Sequence, residues 1–370
     1  MGVCVIALGI QSSRLEIRVP ELEKSLRSGE LRKQMRIGQV EVTAHATSRE
    51  DIARLHTFER WPGHIMWPIM AALIVVSLTA IYAWNTSNYL LLISCWPLIG
   101  YLMFEFSLVF HDASHGRLHP VPWLNELVGH TLGSMGLVPL SVFRYVHSRH
   151  HTDLGTERDP ELWPYTAPGI SRAGRVAAGI LEIGFGVIYL PLLFLRAVVI
   201  SRLSPQERRG ILRGYLMLGL TWGLNIAVIH RFGFWELFLV VAVVPMILNG
   251  MLNTLNKFTQ HLGLHGRTVL GLTRTVVGRH WSMKMISKSL MYNDYHGTHH
   301  RYAKIPYYHL PPATPYTIST SREPCPVFSN VLSALFDMLP CLANPKVGPQ
   351  WVSADSIEVR VSPDEVDRVP

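Results

Sequence analysis

Four apolar runs constrain this chain more than any other feature of its sequence. They cover residues 66–84, 90–110, 211–229 and 237–255. A helix needs about 20 predominantly apolar residues to cross about 30 Å of hydrocarbon, so each run is long enough to span a membrane. Tryptophans stand near the ends of the runs, as in an interfacial aromatic belt: Trp61, Trp67, Trp84 and Trp235. The sequence therefore predicts an all-α membrane protein with four transmembrane helices.

The composition agrees with a membrane protein and argues against several other classes. Charged residues make up 16% of the chain, whereas about a quarter is usual in soluble proteins. The net charge is +8, but the basic residues are dispersed and follow no recognition motif, so we expect no nucleic-acid partner. The four cysteines are scattered without a C-x-x-C pair, which argues against both a disulfide framework and a thiolate zinc site.

Two short links arrange the four runs into two hairpins. The segment NTSN joins the first pair, and HRFGFW joins the second. These links contain one basic residue, Arg231, whereas nearly all the other lysines and arginines lie outside the hairpins. By the positive-inside rule, both termini and the central segment then face the cytoplasm. We expect a multi-pass protein of a bacterial inner membrane, with a helical cap on its cytoplasmic face.

A further apolar stretch, residues 183–195, is too short to count as a fifth span. It contains 13 residues, including Pro191, and this length favours an interfacial or re-entrant segment. We place a cytoplasmic N-terminal arm at 1–63, the membrane domain at 64–345 and a polar tail at 346–370.

Three groups of histidines follow the apolar runs. The segment HDASH places His111 and His115 at i, i+4, directly after the second run. The segments HSRHH and HGTHH share the spacing i, i+3, i+4, and their histidines are His147, His150, His151, His296, His299 and His300. On a helix, these offsets bring the imidazoles of each group to one face. Because the same spacing occurs twice, coincidence is the weaker interpretation.

Eight imidazoles on one side of a membrane suit a pair of metal ions of intermediate softness, such as iron, copper, nickel or zinc. The spacing does not choose among these metals, although the absence of H-E-x-x-H argues against a zinc peptidase. Nearby carboxylates are expected to orient the rings, and the candidates are Asp112, Asp153, Asp159 and Asp294.

Glu105 is the only acid inside the second run. An ionisable residue within a span is a candidate for function. The sequence leaves two interpretations open for it, a role at the substrate tunnel or beside the metal ligands, and simple packing against a polar neighbour.

The order H-x-x-x-H, H-x-x-H-H and a distant H-x-x-H-H, interleaved with two hairpins, resembles the membrane fatty acid desaturase family over residues 61–312. The segments HHTDLGTERDPE and YHGTHHRYAKIPYYHLP look like those of bacterial acyl desaturases. The resemblance implies two irons held by the eight histidines, O₂ as co-substrate, and removal of two hydrogens from the chain of an acyl lipid or acyl thioester. It also suggests His261, in FTQHLGL, as a further ligand.

Two departures from the family pattern refine this expectation. Animal acyl-CoA members carry asparagine four residues before that histidine, where this chain has Lys257, so membership of that branch is disfavoured. The chain contains no H-P-G-G haem signature, so we expect a separate electron donor, such as a ferredoxin-like carrier.

Other functions fit parts of the same pattern. The segments HDASHG and GTERDP also resemble those of carotenoid ketolases and hydroxylases, and a lipid hydroxylase would use similar chemistry. A non-catalytic metal-binding protein or transporter is a different class. It predicts ionisable residues along the spans as an ion path, and the runs contain almost none.

Overall fold

A computed structural model describes residues 48–58, 61–278 and 280–352, together with the backbone of 36–37 and 40–41. Most of the predicted N-terminal arm and of the polar tail therefore lies outside the described residues. Within the arm, strands β1 (Arg36–Ile37) and β2 (Val40–Glu41) pair antiparallel. Helix α1 (Arg49–Leu55) begins with a capping box. The Ser48 side chain accepts from the Asp51 backbone N–H, and the Asp51 side chain accepts from the Ser48 backbone N–H.

Each of the four predicted runs forms a helix, and the described chain is mostly helical. The long helices are α2 (Met66–Asn85), α3 (Tyr89–Ser114), α6 (Arg172–Ile200), α7 (Pro205–Phe232) and α8 (Trp235–His261). Helix α8 is continuous through a π-helical turn at Leu239–Val243. By length and composition, all five of these helices are able to cross a membrane.

Helix α6 corrects the prediction for residues 183–195. The predicted segment of 13 residues is the middle of a helix of 29 residues, Arg172–Ile200. Its backbone departs from helical geometry at Phe185, with φ −130° and ψ 30°. The prediction was wrong about length because it counted only uninterrupted apolar residues, whereas the helix continues through charged positions.

Arginines near the two ends of α6 stack on two different tryptophans. Near its beginning, the Arg175 guanidinium lies 4.4 Å from the ring centroid of Trp351, whose indole N–H donates to the Tyr165 carbonyl at 3.0 Å. Near its end, the Arg196 guanidinium lies 3.6 Å from the ring centroid of Trp163. These two contacts hold α6 to Trp351 near its beginning and to Trp163 near its end.

The other long helices also pack closely, as the contact between α3 and α8 illustrates. Helix α3 packs against α8, where the backbone at Gly100 approaches Leu248 so closely that a Cβ at Gly100 would lie 2.8 Å from the Leu248 Cβ. The Trp96 indole also donates to the Val240 carbonyl at 2.9 Å. Small residues allow such approaches between helices in membranes. Helix α7 ends at Gly233, whose φ of 68° is the left-handed conformation that favours glycine.

Shorter elements form the cap at the end of the long helices. They are α4 (Pro122–Met135), α5 (Leu140–Asp153), α9 (Trp281–Ser289), α10 (His296–Arg301), α11 (Leu310–Ser319) and α12 (Val331–Met338). Strands β3 (Thr275–Val276) and β4 (Val327–Phe328) pair in parallel. The packed region extends past the predicted boundary at 345, because Val347 is fully buried and its backbone N–H donates to the Tyr165 carbonyl at 3.0 Å.

Candidate metal centre

The structure brings together all nine histidines that the sequence nominated. His111 and His115 lie at the end of α3, His261 ends α8, and the two H-x-x-H-H groups lie on α5 and α10. Five of the rings form one cluster, composed of His111, His115, His147, His151 and His299. A second cluster contains His150, His261 and His300. Within each cluster the candidate donor atoms lie within 4.8 Å of one another, and His296 adjoins the second cluster.

Ring nitrogens in these clusters face one another rather than ordinary hydrogen-bond partners. The Nε2 atom of His147 lies 3.0 Å from Nε2 of His111 and 3.1 Å from Nε2 of His151. In the second cluster, Nε2 of His296 lies 2.8 Å from Nε2 of His261. A hydrogen bond between two neutral imidazoles uses one N–H and one lone pair. Several converging ring nitrogens therefore form a poor hydrogen-bond network, but they are suitable ligands for a metal ion.

Several buried ring nitrogens have no hydrogen-bond partner within the described residues. They include Nε2 of His115, Nε2 of His299 and both nitrogens of His300. An unsatisfied buried polar group costs about 1–3 kcal/mol, and an ion is one of the explanations for such a group. Intermediate-softness metals accept imidazole nitrogen, so the donor set of this pocket fits metal ions.

Burial favours the neutral form that a metal requires. Desolvation, followed by repulsion from neighbouring rings, holds the pKa of His147, His151 and His299 well below its usual range. His150 differs from these three. Burial lowers its pKa, but the charges of Asp159 and Glu161 outweigh burial, and the pKa is raised overall. The pKa of His150 is therefore raised, whereas the pKa values of these three neighbouring rings are lowered.

Asp159 is the predicted carboxylate that most directly orients a histidine. Its Oδ2 atom lies 3.0 Å from Nδ1 of His150. The same carboxylate accepts backbone N–H groups from Gly155, Glu161 and Leu162 at 3.0–3.2 Å, which fix its position. An Nδ1–H donated to a carboxylate leaves Nε2 as the lone-pair nitrogen, and Nε2 is then directed to the second cluster.

Glu161 has the same relationship to His147, although the sequence pattern did not predict it. Its Oε2 atom lies 2.9 Å from Nδ1 of His147. The signal was present in the acidic segment ERDPE, where Glu161 follows Asp159 by two residues. Sequence spacing alone did not find it, because the turn that presents both carboxylates depends on the backbone bonds to Asp159.

The other predicted carboxylates are less directly placed. Asp112 Oδ1 lies 3.6 Å from His111 Nδ1, which is long for a hydrogen bond. Asp153 pairs at 3.4 Å with Arg158, which is 82% exposed. Asp294 accepts from the Ser287 hydroxyl at 2.5 Å, and burial raises its pKa to about 7. Among the described residues, Asp153 and Asp294 form no hydrogen bond with a histidine.

A cavity of about 210 Å³ adjoins the clusters, between α3, α4, α6 and α8. His111, His147, His150, His261 and His296 line one end of it, and its walls include Phe106, Leu132, Val138, Val187, Leu190, Phe194 and Met246. A mostly apolar cavity beside polar donors suits a slender apolar ligand. Glu105 is buried but is not among the lining residues, so the cavity does not support its tunnel role.

Known proteins resemble this chain in sequence. The family model for fatty acid desaturases matches residues 87–329. An acyl-lipid omega-3 desaturase (cytochrome b5) from the endoplasmic reticulum of Arabidopsis thaliana is 32% identical over 108 residues, which are 29% of this chain and 28% of that protein. A probable fatty acid desaturase of Sorghum bicolor is 24% identical over 287 residues, covering 70% of this chain and 71% of the relative.

The name of a third relative includes ferredoxin. This relative is a chloroplastic sn-2 acyl-lipid omega-3 desaturase of Arabidopsis thaliana, 34% identical over 90 residues, which are 24% of this chain and 20% of that protein. The matched segment thus spans less than two thirds of both Arabidopsis relatives. The family model covers well over half of the chain and includes every histidine of both clusters, so this chain belongs to the fatty acid desaturase family.

Proposed function

We propose that the protein is an O₂-dependent acyl-lipid desaturase that introduces a double bond into an acyl chain at a di-iron centre. The observation that carries the proposal is the convergence of nine histidines, five of which line a mostly apolar cavity. General desaturase function follows from the family. The metal, the oxidant and the substrate class are the proposed parts.

The two clusters divide the ligands between two ions. His111, His115, His147, His151 and His299 would hold one iron, and His150, His261, His300 and the adjoining His296 would hold the other. The C–H bonds of a saturated chain are inert to acids and bases, and two irons supply the oxidising power of O₂ at such bonds.

The protein supplies orientation and exclusion of water around this centre. Asp159 and Glu161 fix the rings of His150 and His147 through their Nδ1 atoms. Phe143 stacks on His147 with 4.9 Å between ring centroids, which closes the apolar side of that ring. The cavity walls hold the chain beside the clusters and keep bulk water away from it.

The balance of the reaction requires an external electron donor. Removal of two hydrogens from the chain and reduction of one O₂ to two waters consumes two electrons and two protons. The described residues include no electron-transfer domain, and the basic character of the chain, with a net charge of +8, favours docking of an acidic carrier. We propose a small ferredoxin-like protein for this role.

Topology is a further part of the proposal. We place α2, α3, α7 and α8 across a bacterial inner membrane, with the cap and the histidines on the cytoplasmic side. Helix α6 is long enough to cross, but a crossing by α6 in addition to α7 and α8 would put α5 and α10 on opposite faces, whereas His151 and His299 lie in one cluster. This shared cluster supports an even number of crossings between α5 and α10, so we count four crossings in two hairpins.

Lipid analysis in a heterologous host tests this function. The chain is expressed with a ferredoxin and its reductase under air, and fatty acid methyl esters are separated by gas chromatography. We expect a new cis-unsaturated acyl product, which disappears in the matched double variant His150→Ala, His299→Ala. An unchanged acyl profile, together with new keto or hydroxy carotenoids in a pigment-producing host, would replace this proposal with the carotenoid one.

A further inference from the structure

Helix α8 presents a stripe of carboxamide side chains to the cavity. The stripe consists of Asn249, Asn253, Asn256 and Gln260, and all four residues line the cavity. Their spacing of four, three and four residues keeps them on one helix face. The surrounding walls are mostly apolar, and polar residues inside membrane spans usually face a cavity and mark a substrate route.

The part of the stripe nearest the histidines has partners within the protein. Gln260 donates from Nε2 to the side-chain oxygen of Asn293, and Asn256 donates to the same oxygen at 3.2 Å. Because Asn293 lies just before His296 on the chain, these bonds tie α8 to the segment that carries the last histidine group. These bonds therefore help to position the metal centre.

The part of the stripe farther from the histidines has two polar groups that are not hydrogen-bonded. Asn253 donates from Nδ2 to Asn249 Oδ1 at 2.7 Å and to the Asn249 backbone carbonyl at 3.0 Å. The Ser107 hydroxyl donates to Asn249 Oδ1 at 3.2 Å. These bonds fix both amides and leave the Nδ2 donor of Asn249 and the Oδ1 acceptor of Asn253 without a hydrogen bond to any described residue.

A saturated hydrocarbon chain would leave both groups unmatched. A cis double bond or a carbonyl only accepts hydrogen bonds. Either group would match the Asn249 donor and leave the Asn253 acceptor without a hydrogen bond. A hydroxyl group donates and accepts, so it matches both at once. The pair is therefore complementary to an alcohol more than to any other common substituent of an acyl chain.

We propose that Asn249 and Asn253, supported by Ser107, form a binding subsite for a hydroxyl group on the substrate chain. The inference rests on the proposed function, because it assumes that the cavity receives an acyl chain. Asn253 precedes His261 by eight residues, which is about 12 Å along the helix axis. The hydroxyl would thus bind away from the reacting carbons and would set which carbons lie beside the clusters.

Binding measurements test the subsite without requiring turnover. The purified full chain, in lipid nanodiscs, is titrated with stearate and with a series of hydroxystearates in which the hydroxyl moves one carbon at a time. Matching the pair should favour one hydroxyl position over stearate by about tenfold in Kd. In the double variant Asn249→Leu, Asn253→Leu, this ratio should fall to about one.

A matched control separates the subsite from a general effect of removing amides. Asn225 lies exposed on α7, outside the cavity lining, so Asn225→Leu should leave the ratio of affinities unchanged. If the double variant does not fold, as judged by loss of bound metal, the single change Asn249→Ala replaces it, and the ratio should still fall by several fold.

Two results would overturn the inference. Equal affinity of the unaltered protein for stearate and for every hydroxystearate would mean that the amides bind only water. A preference for oleate over the hydroxystearates would assign the stripe to a double bond. Both results are readable whether or not the chain desaturates its substrate, so failure of the proposed function in the lipid assay remains a separate outcome.

Discussion

The Nδ1 atom of His147 lies 2.9 Å from Oε2 of Glu161, and this contact predicts a role for a carboxylate that sequence spacing did not find. Residues that orient a metal-bound histidine typically contribute 10–100-fold to metal affinity. We expect Glu161→Leu to weaken iron retention within about that range, measured by titration with a chelator. Glu161→Gln keeps a hydrogen-bond acceptor and should lose less.

The control for this prediction is another acid of the same segment. Asp153 pairs with an exposed arginine, and among the described residues it is not bonded to a histidine. Asp153→Asn should therefore retain iron as the unaltered chain does. Equal loss of iron from the Glu161 and Asp153 variants would mean that net negative charge, rather than the bond to His147, determines retention.

A second prediction concerns the buried ion pair between Lys257 and Glu182. The Glu182 side chain is fully buried, that of Lys257 is 12% exposed, and Tyr165 donates to Glu182 at 2.8 Å. Removing one partner leaves an uncompensated buried charge, which costs about 3–5 kcal/mol. We expect Lys257→Met alone to lower thermal stability strongly.

The double variant supplies the contrast. Lys257→Met combined with Glu182→Leu removes both charges and leaves two apolar side chains of similar length. Because such replacements are often neutral, the double variant should recover most of the stability, as followed by thermal unfolding in detergent. If the double variant loses as much stability as Lys257→Met and Glu182→Leu lose together as single changes, the ion pair is not the source of the effect.

These two networks show what sequence reasoning reaches and what it does not. The histidine faces were predictable because helical offsets act within one turn of chain. Glu161 was not, because its position depends on a turn closed by backbone bonds to Asp159. The length of α6 was not predictable either. Glu182 forms an ion pair with Lys257, which is 75 positions away in sequence, and local composition shows the charge of Glu182 without that partner.

Metal content is the third prediction. The purified chain should contain close to two irons, because eight histidines form two clusters and His296 adjoins the second. The variant His150→Ala, His299→Ala removes one ligand from each cluster and should lose most of the iron while remaining inserted in the membrane, since apolar burial in lipid stabilises the spans. Stoichiometric zinc, or full retention of iron by this variant, would contradict the assignment.

The fourth prediction concerns the side of the membrane on which α6 begins and ends. Ser171 precedes the helix and Ser204 follows it, as the N-cap residues of α6 and α7. Since histidines of α5 and α10 share one cluster, α6 should not add a crossing to those of α7 and α8, and we expect these two serines to lie on one face. Single cysteines at the two positions, in a chain whose four native cysteines are replaced, should both resist a membrane-impermeant thiol reagent in intact cells.

Positive controls come from the two hairpin links. Asn88 caps the start of α3, and Gly233 ends α7, so cysteines at these positions should react with the same reagent from outside. Reaction of one serine position but not the other would mean that α6 crosses the membrane. In that case α5 and α10 would lie on opposite faces, which is incompatible with His151 and His300 stacked at 4.2 Å, and the count of four crossings would have to be abandoned.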